Sequence, residues 1–119
     1  MKLKFYSYKK CSTCTKASQF LKSIEVDVKP IDITENPPSK SDLRKMLKFY
    51  DGNLKKLFNT SGVLYREMKI ADKLKSMDLD EAIDLLSENG KLVKRPFILT
   101  QTFGLVGFKK EEWESVFCR

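Results

Sequence analysis

The chain's 119 residues suffice for one domain with a single core that needs no disulfide staples. Hydrophobic residues make up 41% and charged residues 33%, a balance that excludes a mainly disordered chain, and no apolar run approaches the roughly 18 residues of a membrane span. The formal net charge of +7 suits an acidic protein partner, an oxyanion or a nucleic acid without choosing among them. The lysines are scattered and form no tight basic block interleaved with aromatics, so direct nucleic-acid binding is not expected.

Met1-Lys2-Leu3-Lys4 has neither a long apolar h-region nor a small-residue cleavage site, which makes the cytoplasm the expected location. The alternation of Lys2, Leu3, Lys4 and Phe5, continued by Tyr6-Ser7-Tyr8, predicts a first strand with one buried side. From Thr13 to about Ile24, Ala17, Phe20, Leu21 and Ile24 recur at helical spacing with Lys16, Gln19 and Lys22 between them, so a helix follows. The stretch from Val26 to Ile33 alternates with period two until Asn36-Pro37-Pro38 stops it, predicting a second strand.

Ser39 with Asp42 three positions on has the form of a capping box. Leu43, Met46, Leu47 and Tyr50 then share one face of a helix that Asp51-Gly52 ends. The helical pattern persists from Asn53 to Asn89, through Leu57 and Phe58, Tyr65 and Met68, and Leu79, Ala82, Ile83 and Leu86. Beyond it, 92–99 and 105–108 read as two strands about a turn near Thr102 to Gly104, and Trp113, Val116 and Phe117 as a short closing helix. The order βαβ, helices, ββα is an α/β arrangement of thioredoxin topology. It predicts a mixed four-stranded sheet with an all-helical insert over about 39–90, in a single domain spanning 1–119.

Cys11-Ser12-Thr13-Cys14 falls at the junction of the first strand and first helix. In a reducing compartment such a pair reads as reactive or metal-binding rather than as a staple. A zinc site needs two further ligands, and the chain offers no histidine and only Cys118 besides, so no metal is expected. The thiolate is the nucleophile, and an ordinary cysteine with a pKa of about 8.5 is mostly protonated at neutral pH. At the N-cap of a helix beginning near Ser12 or Thr13, Cys11 would meet free backbone N–H groups and the positive end of the macrodipole. Cys14, one turn in and more enclosed, suits the resolving thiol. Lys9 and Lys10 either tune this thiol or only solvate the surface.

Arg95-Pro96 precedes a predicted strand, and a proline there suits a cis peptide beside the helix terminus. Arg95 would then stand near Cys11, its planar fork of donors able to hold an oxyanion or a carboxylate. The alternative is a surface arginine before a turn proline.

With Tyr8 to Ala17 around the two cysteines, Pro30-Ile31-Asp32, Lys56 to Gly62 leading to Tyr65-Arg66, and Val93-Lys94-Arg95-Pro96, the chain resembles the ArsC/Spx/YffB family of thioredoxin-like proteins over nearly its whole length. The resemblance implies a thioredoxin-like fold with a helical insert, and Cys11 matches the family's reactive cysteine. The family's glutaredoxin-linked arsenate reductases attack arsenate with that cysteine, hold the oxyanion with three arginines and pass the arsenylated thiol to glutathione. Arg95 matches one of these arginines, and the other two positions fall at Asn59 and at Phe108 or Lys109.

The pattern Asn59, Gly62, Tyr65-Arg66 is closer to the YffB-like branch, for which a glutathione-dependent thiol reductase role is implied. Asn59 and Arg66 would then contact a peptide-like thiol, or be a helix-ending asparagine and an exposed arginine. The Spx-type branch implies instead a redox switch that binds the C-terminal domain of the RNA polymerase α subunit. The expectation is a thiol redox protein with no tightly bound cofactor. Cys11, Cys14 and Arg95 carry the chemistry, and Lys9, Lys10, Ser12, Thr13, Asn59, Arg66 and Pro96 contact the substrate. That substrate is a thiol or an oxyanion, and glutathione, glutaredoxin or thioredoxin supplies electrons.

Overall fold

The computed structural model describes residues 2–118. Four short strands form a mixed sheet in the order β2-β1-β3-β4. β1 (Lys4–Ser7) lies parallel to β2 (Pro30–Asp32), with Phe5 opposite Pro30 and Ser7 opposite Asp32. On its other side β1 is antiparallel to β3 (Phe97–Leu99), Tyr6 facing Phe97. β3 is antiparallel to β4 (Gly104–Val106), Ile98 facing Leu105. α1 (Ser12–Ser23) crosses from β1 to β2, and α6 (Lys110–Phe117) follows β4. Between β2 and β3 run α2 (Lys40–Phe49), α3 (Val63–Glu67), α4 (Ile70–Lys73) and α5 (Leu79–Glu88), with 3₁₀ turns at Leu54–Leu57 and Gly90–Leu92. This is the thioredoxin-like arrangement that the element order predicts.

Successive strand residues point to opposite faces, and each face of the sheet carries its own apolar cluster. Phe5, Ile98 and Leu105 pack with Ala17, Phe20 and Leu21 of α1 and with Trp113 of α6. Tyr6, Phe97, Leu99 and Val106 pack with Leu43, Met46 and Leu47 of α2 and with Ala82, Ile83 and Leu86 of α5. The sheet is thus covered on both faces, and its strand ends are left to build the site.

The strands are shorter than the alternation predicts, for reasons that lie in the backbone hydrogen bonds. Of the predicted second strand only Pro30–Asp32 pairs. Val26 is spent in closing α1, where its N–H reaches Leu21 O at 2.9 Å while Glu25 N–H reaches Lys22 O at 3.1 Å and Glu25 takes φ 60°. That is the Schellman arrangement, with glutamate in the left-handed position that glycine usually fills. The third strand begins only at Phe97, because the residues before it pair elsewhere. Asn59 N–H donates to Leu92 O at 2.7 Å, Lys94 N–H donates to Leu57 O at 2.8 Å, and Phe58 bridges Val93. This small ladder ties the insert to the segment that carries Arg95. Just before it, Gly90 lets the chain pass close to the end of β2, since a Cβ there would lie 1.7 Å from Ile33 O.

The capping box at α2 is half formed. Ser39 Oγ accepts Asp42 N–H at 3.1 Å, but the Asp42 carboxylate turns away to Lys4 Nζ at 2.7 Å and the Tyr6 hydroxyl at 3.4 Å. A buried carboxylate needs partners, and here β1 provides them.

Candidate active site

The strand-to-helix junction at the end of β1 turns through Lys9 and Lys10, and Cys11 N–H closes the turn on Tyr8 O at 3.1 Å. Cys11 is the N-cap of α1, with φ −101° and ψ 111°. Its sulfur accepts Cys14 N–H at 3.3 Å, the position that a serine or aspartate oxygen takes at most helix starts. The first turn of α1 contains no acidic residue, so no carboxylate competes with the sulfur for the positive end of the helix. Cys11 is partly exposed and Cys14 buried, both as free thiols.

The two thiols are driven in opposite directions. For Cys11, partial burial disfavours the anion, but hydrogen bonds from the Cys14 thiol and Cys14 N–H, then the Arg95 guanidinium, outweigh it and hold the thiol below its ordinary value. For Cys14, burial leads and the neighbouring Cys11 adds to it, pushing the thiol up to about 12. The arrangement separates an outer thiol that ionises more readily than an ordinary cysteine from an inner one that keeps its proton.

Arg95 reaches this place across a cis Arg95–Pro96 peptide. Its guanidinium lies over the Tyr8 ring, 4.9 Å from the centroid, and Nη1 donates to Lys91 O at 3.3 Å. The Pro96 carbonyl accepts Gly107 N–H at 2.8 Å, fastening this segment to the end of β4. Arg95→Ala removes the cation that favours the Cys11 anion, so at fixed pH a larger share of the thiol stays protonated. Alkylation by iodoacetamide at pH 7 should slow by about threefold or more. The midpoint of the pH–rate profile should move up, and Arg95→Lys should restore part of the rate. An unchanged profile would show that the guanidinium does not act on this sulfur.

Cys11 opens onto a cleft of about 760 Å³. Of the residues singled out in the sequence, Lys10, Cys11, Ser12, Thr13, Asn59 and Arg95 line it. Cys14 and Pro96 stand behind the lining. Lys9 and Arg66 lie outside it. The charge of Lys9 acts instead on Asp32, whose carboxyl is held below its ordinary range by hydrogen bonds from Thr34 and more weakly by Lys9. Arg66 Nη1 donates to Ser61 O at 3.3 Å and so braces the loop Asn59-Thr60-Ser61-Gly62 from outside.

Sequence reasoning missed the opposite wall: Tyr50, Lys55, Lys56, Lys94, Gly107 and Glu112. The Tyr50 hydroxyl accepts Val106 N–H at 3.0 Å and donates to Glu112 Oε1 at 3.4 Å. Burial, with Glu112 beside it, pushes this phenol up to about 12, so it serves as a neutral strut between α2, β4 and α6. Its helical spacing marks it as an apolar-face residue, and nothing local signals the hydroxyl's partners. Lys94 is legible only through its adjacency to Arg95. Its Cε lies 3.1 Å from where a Cβ of Gly107 would stand, and Gly107 has φ +71°, so the lysine stem crosses the strand end on a glycine. Among the described residues no group of three or more His, Cys, Asp or Glu side chains is gathered to hold a metal ion, and no helix is long and apolar enough to cross a membrane.

Comparison with known proteins places these features in a lineage. The Bacillus subtilis (strain 168) protein YusI is 42% identical over 115 residues, covering 97% of this chain and 98% of its own length. The crystal structure of an ArsC-family-related protein from Bacteroides fragilis superposes with a TM-score of 0.90 at 44% identity, covering 98% of each chain. The global transcriptional regulator Spx of Streptococcus pyogenes serotype M1 is 27% identical over 109 residues, covering 92% of this chain and 80% of Spx. The sequence pattern that defines the ArsC family matches residues 6–116, nearly the whole of the fold described above, and the chain therefore belongs to the ArsC family.

Proposed function

We propose that the protein is a thiol–disulfide oxidoreductase in which Cys11 attacks the substrate sulfur and Cys14 resolves the intermediate, with glutathione or glutaredoxin returning the electrons. The observation that carries this reading is the Cys11 sulfur at the N-cap of α1, taking Cys14 N–H at 3.3 Å and open to the cleft, with a buried thiol behind it. The anion is favoured at Cys11, and burial keeps the proton on the second thiol. Arg95 orients the anionic end of the partner. Asn59 and the 59–62 loop offer amide and hydroxyl groups to a peptide-like thiol. No tightly bound cofactor is needed for this chemistry.

Arsenate is the weaker substrate on this reading. Where the arginine-clamped reductases have three guanidinium groups, this chain has Arg95 with Asn59 and Phe108 or Lys109. Asn59 lacks the charge and a lysine lacks the planar fork, so two bidentate contacts at the sulfur are lost at about 1.5–3 kcal/mol each, at least about a hundredfold in affinity. A second reading, favoured by the likeness to Spx over most of both chains, is a redox switch in which Cys11 and Cys14 close a disulfide and the basic surface docks an acidic partner such as the α subunit of RNA polymerase.

The two readings part on turnover. With glutathione as the reductant the protein should reduce hydroxyethyl disulfide in a Cys11-dependent reaction, and with glutaredoxin added it should reduce arsenate at least about a hundredfold more slowly. Disulfide formation without turnover, together with capture of the α subunit of the polymerase only in one redox state, would replace the enzyme by the switch.

A further inference from the structure

We propose that the thiol handled at Cys11 is a phosphorylated one, carrying several phosphate charges on the arm that extends from its sulfur. This rests on the reading of Cys11 as the attacking thiol and adds the class of its partner.

Lys10, Lys55, Lys56, Lys94, Arg95 and Lys109 line the cleft, against the single carboxylate of Glu112. That excess of five accounts for most of the formal +7 of the chain. The cations come from separate places: the turn before α1, the 3₁₀ turn at Leu54–Leu57, the segment before β3 and the N-cap of α6. The fold has therefore gathered them; adjacency in sequence explains only the pairs Lys55-Lys56 and Lys94-Arg95. None of the six forms an ion pair among the described residues, where the four pairs present are Lys4–Asp42, Lys40–Asp84, Arg44–Asp80 and Lys75–Asp72. Glu112 is already engaged by Tyr50. Like charges gathered around one cleft repel, and a ligand of opposite charge relieves that repulsion.

The kind of charge points to phosphate. A tripeptide thiol with two carboxylates and an ammonium carries a net charge of about −1, which Arg95 alone can match, whereas each phosphate monoester brings about −1.5 to −2. The arginine fork suits carboxylate and phosphate alike, while lysine, a point charge that imposes no planar geometry, is a common binder of phosphate. Five of the six cations here are lysines. The loop beside them adds donors: Thr60 and Ser61 line the cleft, and their backbone N–H groups donate to no group among the described residues. A volume of about 760 Å³ lies within the roughly 300–1,000 Å³ that organic ligands and cofactors occupy.

The chemistry balances without a further component in a single turnover. The Cys11 thiolate attacks one sulfur of the disulfide, the Cys11–ligand disulfide forms, and the other half leaves as a thiolate that takes up a proton. Cys14 then gives its proton to solvent and attacks the Cys11 sulfur, closing Cys11–Cys14 and releasing the phosphorylated thiolate, which takes up a proton in turn. Two electrons pass from the dithiol to the substrate, and an external thiol such as glutathione restores the dithiol.

The test uses Cys14→Ser, in which reaction stops at the Cys11 adduct and intact mass reads its rate of formation. Coenzyme A disulfide, whose arms bear a pyrophosphate and a phosphate monoester, is compared at pH 7 with glutathione disulfide and uncharged hydroxyethyl disulfide. Coenzyme A disulfide should react at least about tenfold faster than glutathione disulfide, and raising NaCl from about 20 to about 500 mM should erode that ratio. Adding Lys55→Ala and Lys56→Ala should cut the ratio of coenzyme A to hydroxyethyl disulfide rates by about fivefold or more. Lys73→Ala with Lys75→Ala, an equal loss of charge outside the cleft, should leave that ratio in place. Equal rates for the two charged disulfides, a preference that survives loss of Lys55 and Lys56, or one lost equally with Lys73 and Lys75, would overturn the proposal. Failure of all three disulfides to label Cys11 would overturn the reading beneath it instead.

Discussion

Cys11→Ser should abolish disulfide reduction, lowering turnover by at least about a thousandfold, because a serine hydroxyl neither ionises near neutral pH nor exchanges with a disulfide. The fold should survive intact. Cys11 is the N-cap of α1 and its sulfur accepts Cys14 N–H, a duty that serine performs at least as well. Circular dichroism should therefore superimpose on that of the wild type while activity disappears. Cys14→Ser should fail differently: its first attack proceeds and the protein accumulates as a mixed disulfide, seen as a mass increase of one thiol half. Residual turnover in Cys11→Ser, or labelling at Cys118 instead, would move the chemistry away from the helix start.

Trp113→Ala should remove a large part of the stability of the fold. The indole is fully buried and packs against Phe108, Phe117 and Phe20 at centroid distances of 5.1, 5.8 and 6.1 Å. Its Nε1–H donates to Gly107 O at 3.1 Å. Emptying such a site costs about 3–5 kcal/mol, a large part of the 5–15 kcal/mol that holds a typical domain together. The melting temperature, followed by far-ultraviolet circular dichroism, should fall by about 10–20 °C. Trp113→Phe keeps much of the ring contact but loses the hydrogen bond and some packed volume, so it should cost less, about 1–3 kcal/mol. Equal losses in the two variants would show that the Gly107 bond, rather than the aromatic packing, dominates. That bond also bears on the site, since Gly107 is where the Lys94 stem crosses the cleft wall.

Much of this molecule is local and therefore readable from its residues. The 3.6-residue spacing of Ala17, Phe20 and Leu21 defines α1, and with it the N-cap at Cys11. Ser39 announces α2, although its partner Asp42 spends its carboxylate on Lys4 and Tyr6, residues more than 30 positions away. Period-two alternation over Val26–Ile33 misleads because it reports which side chains are apolar and not which backbone groups pair. Val26 closes a helix and is lost to the sheet. The same holds before β3, where Leu92 to Lys94 read as strand but bond to the insert.

The candidate site divides in the same way. By itself the sequence determined the pair of thiols, their place at a helix start and the element order of the fold, because each depends on neighbours within a few residues. The tertiary structure alone decided that Lys9 and Arg66 stand aside and that Tyr50, Lys55, Lys56, Lys94 and Glu112 line the cleft with Cys11. It also decided that Arg95 is close enough to act on the sulfur. Those residues lie tens of positions apart, and only the pairing of Leu57–Asn59 with Leu92–Lys94 and of Pro96 with Gly107 brings them to one cleft. The physical reason is that charge acts through space: where a cation is felt depends on long-range backbone pairing, which no local pattern of residues records.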